Sequence, residues 1–165
     1  MKRLCYIVVV SVFLSSCWEN PKPGKYDTVA LKDLLIEQKL KHQDREHAFL
    51  DSISNSWGWH VEKLTGGILV ERYQSGEVAP ILDLEVLQVS IALVNGNHCF
   101  SNDSLLISKG YYDGALVFEE LSKILNPGDS CRALVPSEMG FGIKGVPGVV
   151  PPGAMLVVEA KKLAR

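Results

Sequence analysis

The chain contains 165 residues, of which 47% are hydrophobic and 22% charged, and it includes 14 Gly, 8 Pro and 4 Cys. That length allows one ordinary domain with an appendage, and the balanced composition excludes a disordered, collagen-like or disulfide-dense chain. The formal net charge of −2 gives no reason to expect a nucleic-acid partner.

The first 16 residues have the pattern of an export signal. Residues 1–3 (MKR) are basic, and the apolar run that follows, residues 4–14, is too short for a comfortable membrane-spanning helix. Residues 14–17 (LSSC) resemble the lipobox of bacterial lipoproteins, which implies cleavage before Cys17 and lipidation of that cysteine. The alternative is an ordinary signal peptide that happens to contain a cysteine. We expect an exported protein of the cell envelope, on the periplasmic side, anchored to a membrane through lipid on Cys17.

Two cysteines remain in the mature chain besides the lipidated one. Cys5 leaves with the signal, so Cys99 and Cys131 are exposed to an oxidising compartment in which a disulfide is possible. We predict that they are two separate, mostly buried thiols.

Between the signal and the main domain we predict a tether and a helix. Residues 17–28 are polar and rich in Pro and Gly, as expected of a tether. Residues 29–57 form a helical segment, with Thr28 as the N-cap and Gly58 as a stop. Apolar residues lie near both ends and the middle is polar, which predicts a helix that is solvated over much of its length and docks at its ends. It could be a dimerisation arm or a spacer, and the polar middle favours the spacer.

Residues 59–165 have the pattern of an α+β domain. Asn95-Gly96 is a good hairpin turn, and residues 113–125 predict one short helix. Residues 67–73 and 85–94 are rich in Val, Ile and Leu and predict strands, and two further strands are predicted at residues 130–135 and 154–162, on either side of a long Gly/Pro loop. We therefore expect a curved antiparallel sheet, a half-barrel, packed on one short helix and preceded by the N-terminal helix.

The C-terminal part of this domain resembles a known family. Residues 125–163 read LNPGDSCRALVPSEMGFGIKGVPGVVPPGAMLVVEAKKL. They resemble the FKBP-type peptidyl-prolyl isomerases in their Gly-Asp, their aromatic-Gly pair, the Pro-Pro of a Gly/Pro-rich loop and the closing strand. The whole layout also resembles short FKBP-type lipoproteins of Bacteroidetes. The resemblance covers residues 59–165 and implies an FKBP-like fold.

The resemblance also implies a substrate pocket. It places an aromatic floor at Phe118, two aliphatic residues in the overhanging loop, a wall on the last strand, and a backbone N–H that holds a ligand carbonyl. An acid and two further aromatic residues complete the set. The aromatic floor is Phe118, the two aliphatic residues are Val149 and Val150, and the wall is Val158. The N–H belongs to Ala115, the acid is Asp113, and the two further aromatic residues are Phe100 and Phe141.

The family's chemistry needs no nucleophile, metal or cofactor, because a dry apolar pocket can ease rotation about the X-Pro bond. The implied activity is isomerisation of X-Pro bonds in proline-containing polypeptides of the cell envelope, which would assist the folding of exported proteins. This sequence departs from the family at Ser101, where an acid is usual, at Phe141, which lacks the tyrosine hydroxyl, and at Val158, where an aromatic is usual. Low activity, or a non-catalytic peptide-binding or chaperone-like lipoprotein with the same fold, is therefore the alternative. A third alternative is a purely structural lipoprotein.

Other signals in the sequence carry little weight. Residues 140–145 fit G-x-G-x-x-G, but the Gly/Pro-rich segment that follows cannot form the helix that a dinucleotide site requires. His42 and His47 are five residues apart and lack the spacing of a zinc pair, so we expect solvated histidines.

Overall fold

The computed structural model describes residues 28–74, 84–108 and 114–163. Residues 28–38 belong to one compact unit, and the described residues from Lys39 onward form a second. The predicted signal, the tether up to residue 27, and the predicted Cys17 and Asp113 sites lie outside the described residues. In the part of the chain that the structure describes, no helix is both long and apolar enough to cross a membrane.

The described chain combines two α-helices with one six-stranded sheet. The strands run in the order β1-β2-β5-β6-β3-β4, and every neighbouring pair is antiparallel. This confirms the predicted α+β class, with a curved antiparallel sheet on one short helix and an N-terminal helix before it. The elements are α1 (Thr28–Ser56), β1 (Glu62–Lys63), a 3-10 turn (Thr65–Gly67), β2 (Leu69–Gln74), β3 (Leu84–Leu93), β4 (His98–Ser108), α2 (Leu116–Ile124), β5 (Ser130–Val135) and β6 (Leu156–Lys162).

The predicted turn at Asn95-Gly96 joins β3 to β4. Gly96 has φ +89°, a value that favours glycine, and donates its N–H to Leu93 O at 2.8 Å. No strand was predicted over β4, because its sequence, HCFSNDSLLIS, is largely polar. β4 forms because it lies at the sheet edge, paired with β3, where alternate side chains remain in solvent.

The inner face of the sheet packs on α2. Residues of β3 alternate between buried and more exposed along the strand, as expected when one face is covered. On the helix, Val117, Phe118 and Leu121 are at most 2% exposed. These side chains join alternate residues of β2, β3, β5 and β6 in a single apolar core, which includes Val158 of the last strand.

The second half of α1 packs on the opposite face of the sheet. Leu50 is fully buried and, with Leu69 and Leu134, forms a second apolar cluster. The expectation of a solvated polar middle is wrong for part of the helix, because Glu46 is only 6% exposed. Hydrophobic periodicity does not detect this contact, since the side chain that docks is charged and is compensated by hydrogen bonds.

The two cysteines of the domain are separate thiols. Both are free; Cys131 is buried and Cys99 is half-buried. Burial raises the pKa of the Cys131 thiol to about 12, which keeps it protonated and unreactive.

Candidate functional site

Three phenylalanine side chains from three different elements meet beside the start of α2. Phe118 lies on α2 and Phe100 on β4, while Phe141 lies on a turn after β5. The ring centre of Phe141 is 6.1 Å from that of Phe100 and 6.5 Å from that of Phe118, with interplanar angles of 56° and 64°. These are tilted and edge-to-face arrangements that aromatic rings prefer. We call these three residues the aromatic cluster.

Phe141 is held by a hydrogen-bonded turn at residues 136–142, which we call the Ser137 turn. Pro136 O accepts the N–H groups of Met139 and Gly140, both at 3.1 Å, and Ser137 O accepts that of Gly142 at 2.8 Å. A Cβ at Gly140 would lie 2.9 Å from the Leu156 side chain, so that side chain would have to shift to accommodate it. The turn therefore holds Phe141 between two glycines, Gly140 and Gly142.

A proline-rich loop, residues 143–153, continues from Phe141 and carries both predicted valines. Val146 and Val150 exchange two backbone hydrogen bonds of 2.8 Å, which closes the loop on itself. Val150 is 2% exposed and belongs to the core, whereas Val149 is 41% exposed. A surface cavity of about 460 Å³ is lined by residues 144 and 146–152. The loop thus presents one valine inward and one to solvent.

Ala115 lies where the resemblance places the carbonyl-binding N–H. It is 1% exposed and immediately precedes α2, and it packs in the same core as the aromatic cluster. Within the described residues its N–H has no hydrogen-bond partner, while the N–H of Val117 bonds to Met139 O at 2.9 Å. A donor at this position can bind a peptide carbonyl, and the helix N-terminus reinforces it.

Two predicted site residues remain, Val158 and Asp113. Val158 is fully buried and pairs with Ile91 and Ala133 on the neighbouring strands, so it lies on the core face of the sheet. Asp113, the predicted acid, is outside the described residues. The structure therefore brings together Phe100, Phe118, Phe141, Val150, Val158 and Ala115 in one core, with Val149 exposed at the edge.

Ser101, at the position where the family usually has an acid, faces away from the aromatic cluster. Its hydroxyl donates to Ser90 Oγ at 3.3 Å and lies 2.9 Å from His98 Nε2. Because Phe100 pairs with the buried Ile91, the next residue along the strand points to the opposite face of the sheet. In this register the side chain at position 101 is directed away from the rings.

That opposite face carries a polar cavity of about 300 Å³, which is the competing candidate site. It is lined by Tyr73, Gln88, Ser90, Ser101, Asp103, Ser130, Glu159 and Lys161, together with Val89 and Ala160. Several of these side chains bond to one another, as Gln88 does to Asp103 at 3.0 Å. In the described ranges no group of three His, Cys, Asp or Glu side chains could hold a metal ion. This cavity has no aromatic walls comparable with the cluster, so it is the weaker candidate for an apolar substrate.

The contact between α1 and the Ser137 turn was not predicted from the sequence. Glu46 accepts two hydrogen bonds from Ser137, and these residues are 91 positions apart in the chain. A signal was present, because Gln43 and Glu46 precede the buried Leu50 at helical spacing and therefore share its face. A search for apolar residues alone passes over such a polar face.

Comparison with known proteins establishes the fold. The chain is similar to the crystal structure of a peptidyl-prolyl cis-trans isomerase from Pseudomonas syringae pv. tomato, with a TM-score of 0.62 and 17% sequence identity. The match covers 75% of this chain and 92% of that one. No protein-family profile and no curated protein matches the sequence. The fold is therefore that of a peptidyl-prolyl isomerase, FKBP-like as the sequence resemblance implied, and the activity has to be argued from the site.

Proposed function

We propose that this protein is an FKBP-type peptidyl-prolyl cis-trans isomerase that acts on X-Pro bonds of exported polypeptides. The observation that carries the proposal is the aromatic cluster, which stands at the start of α2 beside the proline-rich loop. An apolar pocket with a few backbone donors is the kind of site that binds a proline ring and its preceding carbonyl. The fold shared with a known isomerase supports the same conclusion.

The proposed mechanism uses pocket shape and dryness. Rotation about a peptide bond breaks amide resonance and has a barrier of about 18–20 kcal/mol. Phe118 and Phe141 would pack on the proline ring and exclude water from the carbonyl, which destabilises the planar, charge-separated amide relative to the twisted form. The N–H of Ala115 would hold a peptide carbonyl and orient the substrate. No bond is made or broken, so the pocket requires no reactive side chain.

The same proposal includes an anchored location. We propose that the protein is exported to the cell envelope and attached to a membrane through lipid on Cys17, where it assists the folding of proline-containing polypeptides. The lipobox-like LSSC at residues 14–17 supports this step. Mass spectrometry of the mature N-terminus tests it: Cys17→Ser should abolish the lipid and release the protein from the membrane fraction, and an unmodified Cys17 in the wild type would refute it.

The activity is tested with a protease-coupled assay on a proline peptide. The purified protein should accelerate isomerisation above a heat-denatured sample. Phe141→Ala should lower kcat/KM by about 5-fold, because one aromatic wall contributes on the order of 1 kcal/mol beyond its buried area. Phe49→Ala is the matched control, since Phe49 is 49% exposed on α1 and lies outside the cluster. Absence of any rate above the denatured sample rules out the enzyme.

A non-catalytic peptide-binding protein is the second candidate, and the orientation of Ser101 favours it. With its hydroxyl bonded to Ser90 and His98 on the other face, no acid from β4 contributes to the pocket. Such a protein would bind proline peptides, shifting the NMR signals of Phe118 and Val150, without accelerating isomerisation. Acceleration by the wild type excludes this candidate, and unchanged signals exclude both.

A further inference from the structure

A buried glutamate on α1 holds the turn that carries Phe141. The carboxylate of Glu46 is 7% exposed. Its Oε2 accepts hydrogen bonds from both the N–H and the hydroxyl of Ser137, each at 3.0 Å. Its other oxygen lies 3.0 Å from His42 Nε2, one helical turn earlier. The carboxylate is thus fully engaged, as a buried acid must be to avoid a large desolvation penalty.

The contact is reinforced by the preceding turn of the same helix. Lys39 Nζ lies 2.6 Å from Glu138 Oε1, and Gln43 donates a hydrogen bond to the other oxygen of that carboxylate. The Lys39 contact is the first cause that lowers the pKa of Glu138, and the Gln43 bond lowers it further. Three residues spaced along one face of α1, Lys39, Gln43 and Glu46, therefore bind two adjacent residues of the Ser137 turn.

The turn transmits this contact to the aromatic cluster. Ser137, held by Glu46, accepts the N–H of Gly142 at 2.8 Å, and Gly142 follows Phe141 directly. On the other side, Met139 O accepts the N–H of Val117 at 2.9 Å, at the start of α2. The position of Phe141 relative to the other two rings is therefore set by hydrogen bonds that begin at Glu46.

We infer that Glu46 is a positioning residue of the proline pocket: by fixing Ser137 it holds the Phe141 ring at its distance from Phe100 and Phe118. Glu46 touches no substrate and acts only through Phe141. The inference rests on the proposed isomerase or binding function for its effect on substrate, but its structural part can be measured without any substrate. Pocket geometry matters because misplacement of a wall by about 1 Å can lower a rate by on the order of 100-fold.

Three variants separate positioning from general stability. Glu46→Ala removes both bonds to Ser137. Glu46→Gln keeps an oxygen that can accept both, and loses only the charge and the His42 contact. Asp44→Ala is the matched control, because Asp44 is an exposed acid on the same helix.

Hydrogen exchange measured by NMR tests the structural part in the full chain. In Glu46→Ala the amide of Gly142 should exchange at least 10-fold faster, while amides of β5 and β6 keep their wild-type protection, because only the turn has been loosened. Glu46→Gln and Asp44→Ala should resemble the wild type. Wild-type protection of Gly142 in Glu46→Ala overturns the inference, and so does an equal loss of protection throughout the sheet.

Kinetics tests the functional part. In Glu46→Ala kcat/KM for a proline peptide should fall by about 3- to 10-fold, with rescue by Glu46→Gln and no change in Asp44→Ala. An active wild type with an equally active Glu46→Ala overturns the inference. An inactive wild type refutes the proposed enzyme instead, and the positioning of Phe141 is then decided by the exchange result alone.

Discussion

The ion pair between Glu85 on β3 and Lys162 on β6 is buried, and its removal has a calculable effect. Lys162 Nζ lies 2.7 Å from Glu85 Oε1, with side-chain exposures of 7% and 5%. Nζ also donates to Ser122 O on α2 at 3.1 Å. The carboxylate is less well compensated: the 2.7 Å contact lacks the angles of a hydrogen bond, and neither oxygen has such a bond to any described residue.

The magnitudes favour a weak net contribution from the intact pair. At 2.7 Å and an effective dielectric constant of about 20, the attraction is about 6 kcal/mol. Withdrawing each ion from water costs several kcal/mol, which offsets most of it. Lys162→Met leaves a buried carboxylate without its cation, so we expect the free energy of unfolding to fall by about 3–5 kcal/mol. In Glu85→Leu/Lys162→Met no buried charge remains, and we expect a stability within about 1 kcal/mol of the wild type, or above it.

Urea unfolding followed by tryptophan fluorescence measures these differences by linear extrapolation. Lys161→Met is the control, because Lys161 is exposed on the same strand and its loss should change stability by less than about 0.5 kcal/mol. A double variant that loses as much as the single one would refute the reasoning, and so would a single variant that loses less than about 1 kcal/mol.

The same domain offers three further tests. The backbone N–H of His60 and, after it, the guanidinium of Arg132 lower the pKa of Glu71. The stabilisation of the folded protein by the Glu71 carboxylate is therefore complete above the ordinary Glu pKa of about 4.3 and is lost as the pH falls through the lowered, folded-state pKa. Glu71→Gln should therefore flatten the acid side of the pH–stability curve, and an unchanged curve contradicts this. Cys131 should resist alkylation at pH 8 until urea unfolds the protein, while the half-buried Cys99 reacts first, as peptide mass mapping would show. Gly145→Ala should destabilise the proline-rich loop, because Gly145 has φ +61° and a Cβ there would lie 2.3 Å from Val150 O; a wild-type thermal midpoint and wild-type exchange of the Val150 amide would contradict it.

The sheet and the short helix were predictable because their local patterns agree with the tertiary structure. Ser130–Val135 is buried along almost its whole length, and the strand was predicted with the observed bounds. Residues 113–125 predicted a helix that the structure confirms at Leu116–Ile124. Asn95-Gly96 predicted a hairpin turn, and such a turn implies a second strand after it. That strand, β4, was not predicted, because its sequence is largely polar.

The missed features other than β4 depend on partners elsewhere in the fold. Glu46, Glu85 and Lys162 are charged residue types that are seldom buried alone, so composition and periodicity assign them to the surface. Their burial becomes favourable only when the fold supplies a hydrogen-bond donor or an opposite charge. The direction of Ser101 likewise depends on the register of β4 against β3, which a single sequence does not determine.

The aromatic cluster contains no reactive group, so any acceleration of X-Pro rotation must come from the shape of the pocket and the exclusion of water. Phe100 and Phe118 lie on regular elements whose positions follow from the sheet and α2. Phe141 lies on the Ser137 turn. On one side this turn is bonded to α1, through Ser137 to Glu46 and through Glu138 to Lys39. On the other side it is bonded to α2, through Met139 O. Of the three rings of the aromatic cluster, Phe141 is therefore the one whose supporting turn is bonded to α1. Residues 39–56 of that helix therefore supply part of the packing and hydrogen bonding of the domain that carries the candidate site.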